Sequence, residues 1–178
     1  MNFGNGKKEK ISIRFCGTGG MGVILVGFIL GKAAIYEDKN AIQMQSYGAS
    51  QRGSKVRSDV IISENEILYP IIDKADVLIA FSKRAFDYYL PKTTKNALVL
   101  INSDLIDYQN ESIIKIPASK IARELNNPKV LNIVMLGAFI KKTEILTTKS
   151  IIKSINNTIP KSYQEVNKLA FNRGINLV

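Results

Sequence analysis

Histidine is absent from the 178 residues. Its absence removes the commonest general base, the commonest zinc ligand and every Ser-His or Cys-His nucleophile arrangement, so self-contained hydrolase chemistry is not expected. Cys16 is the one cysteine. An internal disulfide is excluded, and no thiolate set exists to hold an iron–sulfur centre, which fits a reducing, cytoplasmic compartment. Long apolar runs are also missing: residues 21–35 are interrupted by Lys32, and the run falls short of the roughly 20 residues that span a bilayer. The opening MNFGNGKKEK lacks the apolar core of a secretory signal, and residues 1–10 read as a mobile tail. No repeat, low-complexity tract or Pro/Gly/Ser linker divides the remainder, so residues 11–178 are expected to form one domain.

What is present in quantity is positive charge, with 25 Lys and Arg against 15 Asp and Glu and a net charge of +10. The basic residues run from Lys7 to Arg173 with acids between them, never clustering beyond pairs. That dispersal describes a solvated surface and not a phosphate-tracking groove, so nucleic acid is not the expected partner. An acidic protein or an anionic ligand remains compatible.

Hydrophobic patterning predicts an α/β fold. Residues 11–16 alternate and are β-rich, glycines follow, and residues 23–35 place apolar side chains around most of a helix. Strands are expected at 41–46 and 55–63. The nearly continuous apolar runs 76–80 and 97–101 suit strands buried on both faces of a parallel sheet, with a helix at 84–90 between them. A short strand at 113–116 precedes helices at 117–125, 132–142, 150–155 and 163–173, which make a helical C-terminal third. The expected architecture is Rossmann-like, a mainly parallel sheet with flanking helices.

Gly17-Thr18-Gly19-Gly20-Met21-Gly22 satisfies G-x-G-x-x-G after a predicted strand and at the opening of a helix. Glycines permit positive φ and close backbone approach, and a helix N-terminus favours an anion by roughly 0.3–1 kcal/mol through its dipole alone. The alternative is a tight turn whose glycines serve only helix–sheet packing. A dinucleotide fold also wants an acid about 20 residues on, at the end of the second strand. Glu37 and Asp38 match in distance but precede that strand, which ends in Gln43-Met44-Gln45-Ser46. NAD or FAD is therefore the weaker form of the anion reading.

A second loop, Ser46-Tyr47-Gly48-Ala49-Ser50-Gln51-Arg52-Gly53-Ser54, follows the second strand and is expected to face the first across the carboxyl edge of the sheet. Arg52, with Gly53 beside it and Lys55 and Arg57 near, offers a planar fork for phosphate or carboxylate, and Tyr47 adds a ring and a hydroxyl. An ion pair at a subunit interface would use the same arginine.

Together these segments resemble the gamma subunit of 2-oxoacid:acceptor (ferredoxin) oxidoreductases, particularly the small separate subunit of the 2-oxoglutarate enzymes. The resemblance extends over residues 11–174. It is carried by the glycine loop, Gln45-Ser46-Tyr47-Gly48, Arg52-Gly53, the strand Asp76-Val77-Leu78-Ile79, Asn132-Ile133-Val134-Met135-Leu136-Gly137, and Asn167 with Ala170-Phe171. The family commonly has glutamine at Met21, proline-glutamate at Ala49-Ser50 and glycine at Ser54.

The resemblance implies an assembly that oxidatively decarboxylates a 2-oxoacid, makes an acyl-CoA and passes electrons to ferredoxin or another acceptor. Thiamine diphosphate, magnesium and iron–sulfur clusters are implied for alpha, beta and delta partner subunits. This chain carries neither cluster ligands nor a Gly-Asp-Gly type of segment for thiamine diphosphate, which agrees with an accessory role. The implied site is Gly17, Thr18, Gly19, Gly20, Met21, Gly22, Ser46, Tyr47, Gly48, Arg52 and Gly53 around coenzyme A, with no catalytic residue. A free-standing nucleotide- or NAD-binding protein and a purely structural subunit are the alternatives.

Overall fold

The computed structural model of the chain describes residues 9–47 and 54–178. Its elements follow the hydrophobic patterning closely. β1 (Lys10–Thr18) alternates faces, sending Ile13 and Phe15 into one apolar layer and Cys16 into the other. α1 (Val23–Ile35) is followed by β2 (Asn40–Tyr47), β3 (Lys55–Ser63), β4 (Ala75–Ala80), α2 (Lys83–Tyr89), β5 (Thr93–Asn102) and β6 (Ile114–Ile116). The last third is helical: α3 (Ala118–Glu124), α4 (Leu131–Thr143), α5 (Thr148–Asn156) and α6 (Lys161–Ile175). Of the expected tail, residues 1–8 lie outside the described residues, and Lys10 is already in register with Ser63.

The sheet runs β2-β3-β1-β4-β5-β6. β1, β4, β5 and β6 are mutually parallel, while β3 lies antiparallel to both β1 and β2. Five strands therefore share a direction and β3 alone is reversed. The connection 48–54 is too short for a parallel crossover, which needs about a dozen residues or more, so β2 and β3 must form a hairpin. That hairpin corrects one expectation: β2 is not beside β1, because β3 separates them.

α1, α3, α4, α5 and α6 pack on one face with Ile13, Phe15, Val60 and Leu100. α2 covers the other face, where Leu78, Ala80, Phe86 and Ile101 are buried. β4 and β5 lie inside this sandwich, as their continuous apolar runs require. α1 carries apolar residues around most of its surface, as expected, yet Leu25, Phe28 and Ile35 stay exposed along one stripe. The other helices of its layer pack beside it and leave that stripe outward.

α4 and α6 cross at glycines. A Cβ at Gly137 would stand 2.2 Å from the Phe171 carbonyl oxygen, and one at Gly174 would stand 2.1 Å from that of Val134. This contact gives a packing reason for the Asn132–Gly137 and Ala170-Phe171 segments.

Candidate functional site

The glycine turn leaves β1 at the carboxyl edge of the sheet. α1 departs toward β2 on one face, whereas α2 carries the chain from β4 to β5 on the other. The ends of β1 and β4 thus form the topological switch point at which open α/β sheets bind ligands.

The glycines differ in what they require. At Gly17 a Cβ would lie 3.1 Å from both Phe81 Cβ and Val23 Cγ2, so that residue serves close packing. Gly20 and Gly22 have φ of 87° and 69°, which side chains disfavour. Gly22 is constrained twice, because its Cβ would also stand 2.2 Å from Asn132 Nδ2. Gly19 has neither constraint: its φ is not positive, and nothing lies within 4 Å of where its Cβ would be. Internal packing gives no reason for glycine there, whereas close approach of a ligand to the backbone does.

Within the turn, the Met21 N–H donates to the Thr18 carbonyl (3.3 Å), and Thr18 Oγ1 donates to Met21 Sδ (3.2 Å). Met21 therefore folds back onto Thr18 and closes the turn from inside. The Gly22 carbonyl accepts from the Val26 N–H (3.0 Å) and from Asn132 Nδ2 (3.1 Å). No side chain caps the N-terminus of α1. A helix start leaves its first N–H groups without intrahelical partners, so this one presents donors and a positive dipole end to an incoming anion.

The flanks of the second loop reach the same edge. Thr18 is in register with Lys55, and Val56 with Tyr47. Ser46 and Tyr47 turn to opposite faces of β2 as strand alternation demands, Ser46 toward the α2 side and Tyr47, 64% exposed, toward the α1 side. Gly48, Arg52 and Gly53 lie outside the described residues.

The roles of three polar residues were not read from the sequence. The first is Arg14, fully buried on the α2 side of β1. Its Nε and Nη2 each donate to Asp59 at 2.7 Å, Nη2 also donates to the Ile72 carbonyl at 2.8 Å, and the Tyr89 ring lies 5.2 Å away. Opposite charges at the middle of two β-rich strands were the available signal. Beside this pair Cys16 is fully buried, and burial pushes its thiol far above the ordinary range. The second is Asn132, whose contact with Gly22 ties α4 to the turn. The third is Ser82, which follows Phe81, whose N–H donates to the Cys16 carbonyl (2.8 Å). Ser82 thus stands at the start of α2 level with the glycine turn, and its buried Oγ has no hydrogen-bond partner among the described residues.

Glu37, the acid at ribose-binding distance in sequence, is committed elsewhere. At the far end of α1 its carboxylate accepts from Ser150 Oγ (2.5 Å), the Thr147 N–H (2.6 Å) and Thr147 Oγ1 (2.8 Å). Burial alone would raise its pKa, but these bonds and Lys39 outweigh burial and lower it. A cleft of about 360 Å3 lies at that end too, lined by Ile140, Lys141, Glu144 and Leu146. No helix among the described residues is long and apolar enough to cross a membrane.

Known proteins are similar to this chain in sequence and fold. The chain is 40% identical over 174 residues to a 2-oxoglutarate synthase subunit KorC of Methanocaldococcus jannaschii, covering 94% of this chain and 93% of that protein. It is 34% identical over 177 residues to the subunit of the same name from Methanothermobacter marburgensis, covering 93% and 95%. The crystal structure of a keto/oxoacid ferredoxin oxidoreductase gamma subunit from Geobacter sulfurreducens superposes with a TM-score of 0.85 at 30% identity, over 96% and 97% of the two chains. Residues 12–177 match the pyruvate ferredoxin/flavodoxin oxidoreductase family, and the chain belongs to that family as a gamma-type subunit of an oxidoreductase.

Proposed function

We propose that this chain serves a 2-oxoglutarate:ferredoxin oxidoreductase as its gamma subunit, and that its glycine turn helps to position coenzyme A. The observation that carries the second part is Gly19. It sits at the switch point beside an uncapped helix start, and neither strain nor packing accounts for its missing side chain. The 2-oxoglutarate assignment is supported by the names of the relatives at 34–40% identity.

The residues present fit a phosphorylated carrier. Backbone N–H groups at the start of α1 would take a diphosphate oxygen without a side-chain charge, and Arg52 would add a charge-assisted contact. Coenzyme A supplies the thiol that accepts the acyl group. This chain's part is to orient the carrier, while thiamine diphosphate, magnesium and iron–sulfur clusters belong to the alpha, beta and delta subunits.

The test is a coenzyme A titration of the reconstituted complex. Arg52→Ala removes one charge-assisted hydrogen bond, worth roughly 1.5–3 kcal/mol, so the apparent coenzyme A affinity should fall about tenfold or more. If Arg52 instead holds a neighbouring subunit, assembly weakens while the affinity of intact complexes is unchanged. Turnover of a 2-oxoacid by the isolated chain would refute the accessory role outright.

A further inference from the structure

β2, the edge strand, is covered by a helix on one face only, whereas Asp59 and Ile61 of β3 are buried by the chain itself. On the other face the register sets Ile42, Met44 and Ser46 opposite Ile61, Asp59 and Arg57. Among the described residues α1 is the helix that packs on β2, from the opposite side, and α2 reaches no farther than β3. Met44 is left 41% exposed.

Arg57 and Lys55 share that face at the end of β3, and cations surround Tyr88. Lys55 Nζ stands 4.2 Å and Lys92 Nζ 3.7 Å from the ring centre of Tyr88, which is itself exposed. Arg57 is the third cation, its Nε 3.7 Å from Asp59 Oδ2. That carboxylate is already gripped by Arg14 through both oxygens at 2.7 Å, so it answers two guanidinium groups. Among the described residues no carboxylate pairs with Lys55 or Lys92, and residues 1–8 and 48–53 contain no acid. Lys92, and then Lys55 and Arg57, lower the Tyr88 pKa.

A second copy of this chain, with the same net charge of +10, would bring cations against cations. Apolar Met44 and the Tyr88 ring give a nucleic-acid backbone little to use, whereas a protein surface presenting carboxylates around an apolar side chain fits both parts. We propose that this surface, from Met44 on the uncovered face of β2 across Arg57 and Lys55 at the end of β3 to Tyr88 and Lys92, docks a carboxylate-bearing surface of another subunit of the same oxidoreductase. The proposal rests on the chain being such a subunit.

The test measures association of the chain with its purified partner subunits by sedimentation velocity at low and high salt. Lys55→Glu with Lys92→Glu should weaken association about tenfold or more, because like charges now face each other across the interface. Lys149→Glu with Lys161→Glu, an equal charge change on the helices of the other layer, should alter it less than about twofold. Binding of the unsubstituted chain should weaken as salt rises. If the reversed pair fails to fold, Lys55→Gln with Lys92→Gln and Met44→Ser carries the same expectation in milder form. Association within about twofold of the unsubstituted chain overturns the docking face. So does an effect confined to self-association, which would assign the face to a second copy, or one confined to coenzyme A dependence, which would make it a ligand site. Failure of the unsubstituted chain to associate at all overturns the subunit reading, and this proposal with it.

Discussion

β1 carries two polar constellations a few residues apart, and it treats them in opposite ways. At Arg14 every demand is met inside the molecule: two bonds to Asp59, one to the Ile72 carbonyl and the face of Tyr89. At residues 17–22 the backbone turns outward, the helix start has no side-chain cap, and Gly19 leaves space that nothing fills. Burial explains the first, since a lone guanidinium in the core would cost several kcal/mol. The second is exposed enough for solvent to satisfy it, so its donors remain available to a ligand. Charged residues in the core of this protein therefore mark structure, and the uncharged glycine turn marks the candidate site.

The sharpest way to break that contrast is Asp59→Ala. It strands Arg14 in the core and should cost about 3–5 kcal/mol in urea unfolding, whereas Arg14→Met with Asp59→Leu, which removes both charges, should cost far less. Equal losses for the single and paired changes would show that the ion pair is not what the interior demands.

Gly22→Ala comes next. A side chain at φ 69° and in collision with Asn132 should destabilise the fold by on the order of 1–3 kcal/mol. Adding Asn132→Ala should recover the steric part, because the two sites touch and their effects do not add. Strict additivity of the two changes would remove Asn132 as the cause.

Gly19→Val sharpens the contrast from the other side. Stability should stay within about 0.5 kcal/mol of the unsubstituted chain, since nothing lies within 4 Å of where a Cβ would be and φ is not positive. The apparent coenzyme A affinity of the reconstituted complex should nonetheless fall about tenfold. A normal titration would leave the turn as packing only.

The smallest effect concerns Glu37, which belongs with Asp59 among the internally satisfied acids. Its folded-state pKa is depressed, so its stabilisation is full above the ordinary glutamate value of about 4.3 and is lost as pH falls through the lower folded value. Thermal midpoints of the unsubstituted chain and of Glu37→Gln should differ at neutral pH and converge below about pH 4. Parallel curves across that range would contradict the assignment.

Local chemistry made much of this protein legible in its sequence. Continuous apolar runs marked β4 and β5, the change from alternation to helical spacing bounded β1 and α1, and Pro117 ended at the start of α3 as its fixed φ suggests. The glycine turn was legible for the same reason, since its spacing encodes a backbone geometry that no distant residue has to supply. Strand order was not. Nothing in β3 itself announces that it inserts between β1 and β2, and that placement comes from the hairpin length and from burying Val56, Val60 and Ile62 under α1. The division of labour among Gly17, Gly19 and Gly22 likewise depended on Phe81 and Asn132, which arrive from β4 and α4. By itself the sequence determined where the chain could expose backbone donors and which segments had to be buried. Only the tertiary structure decided which polar groups found partners, because pairing Arg14 with Asp59, or Asn132 with Gly22, requires contacts that no local pattern specifies.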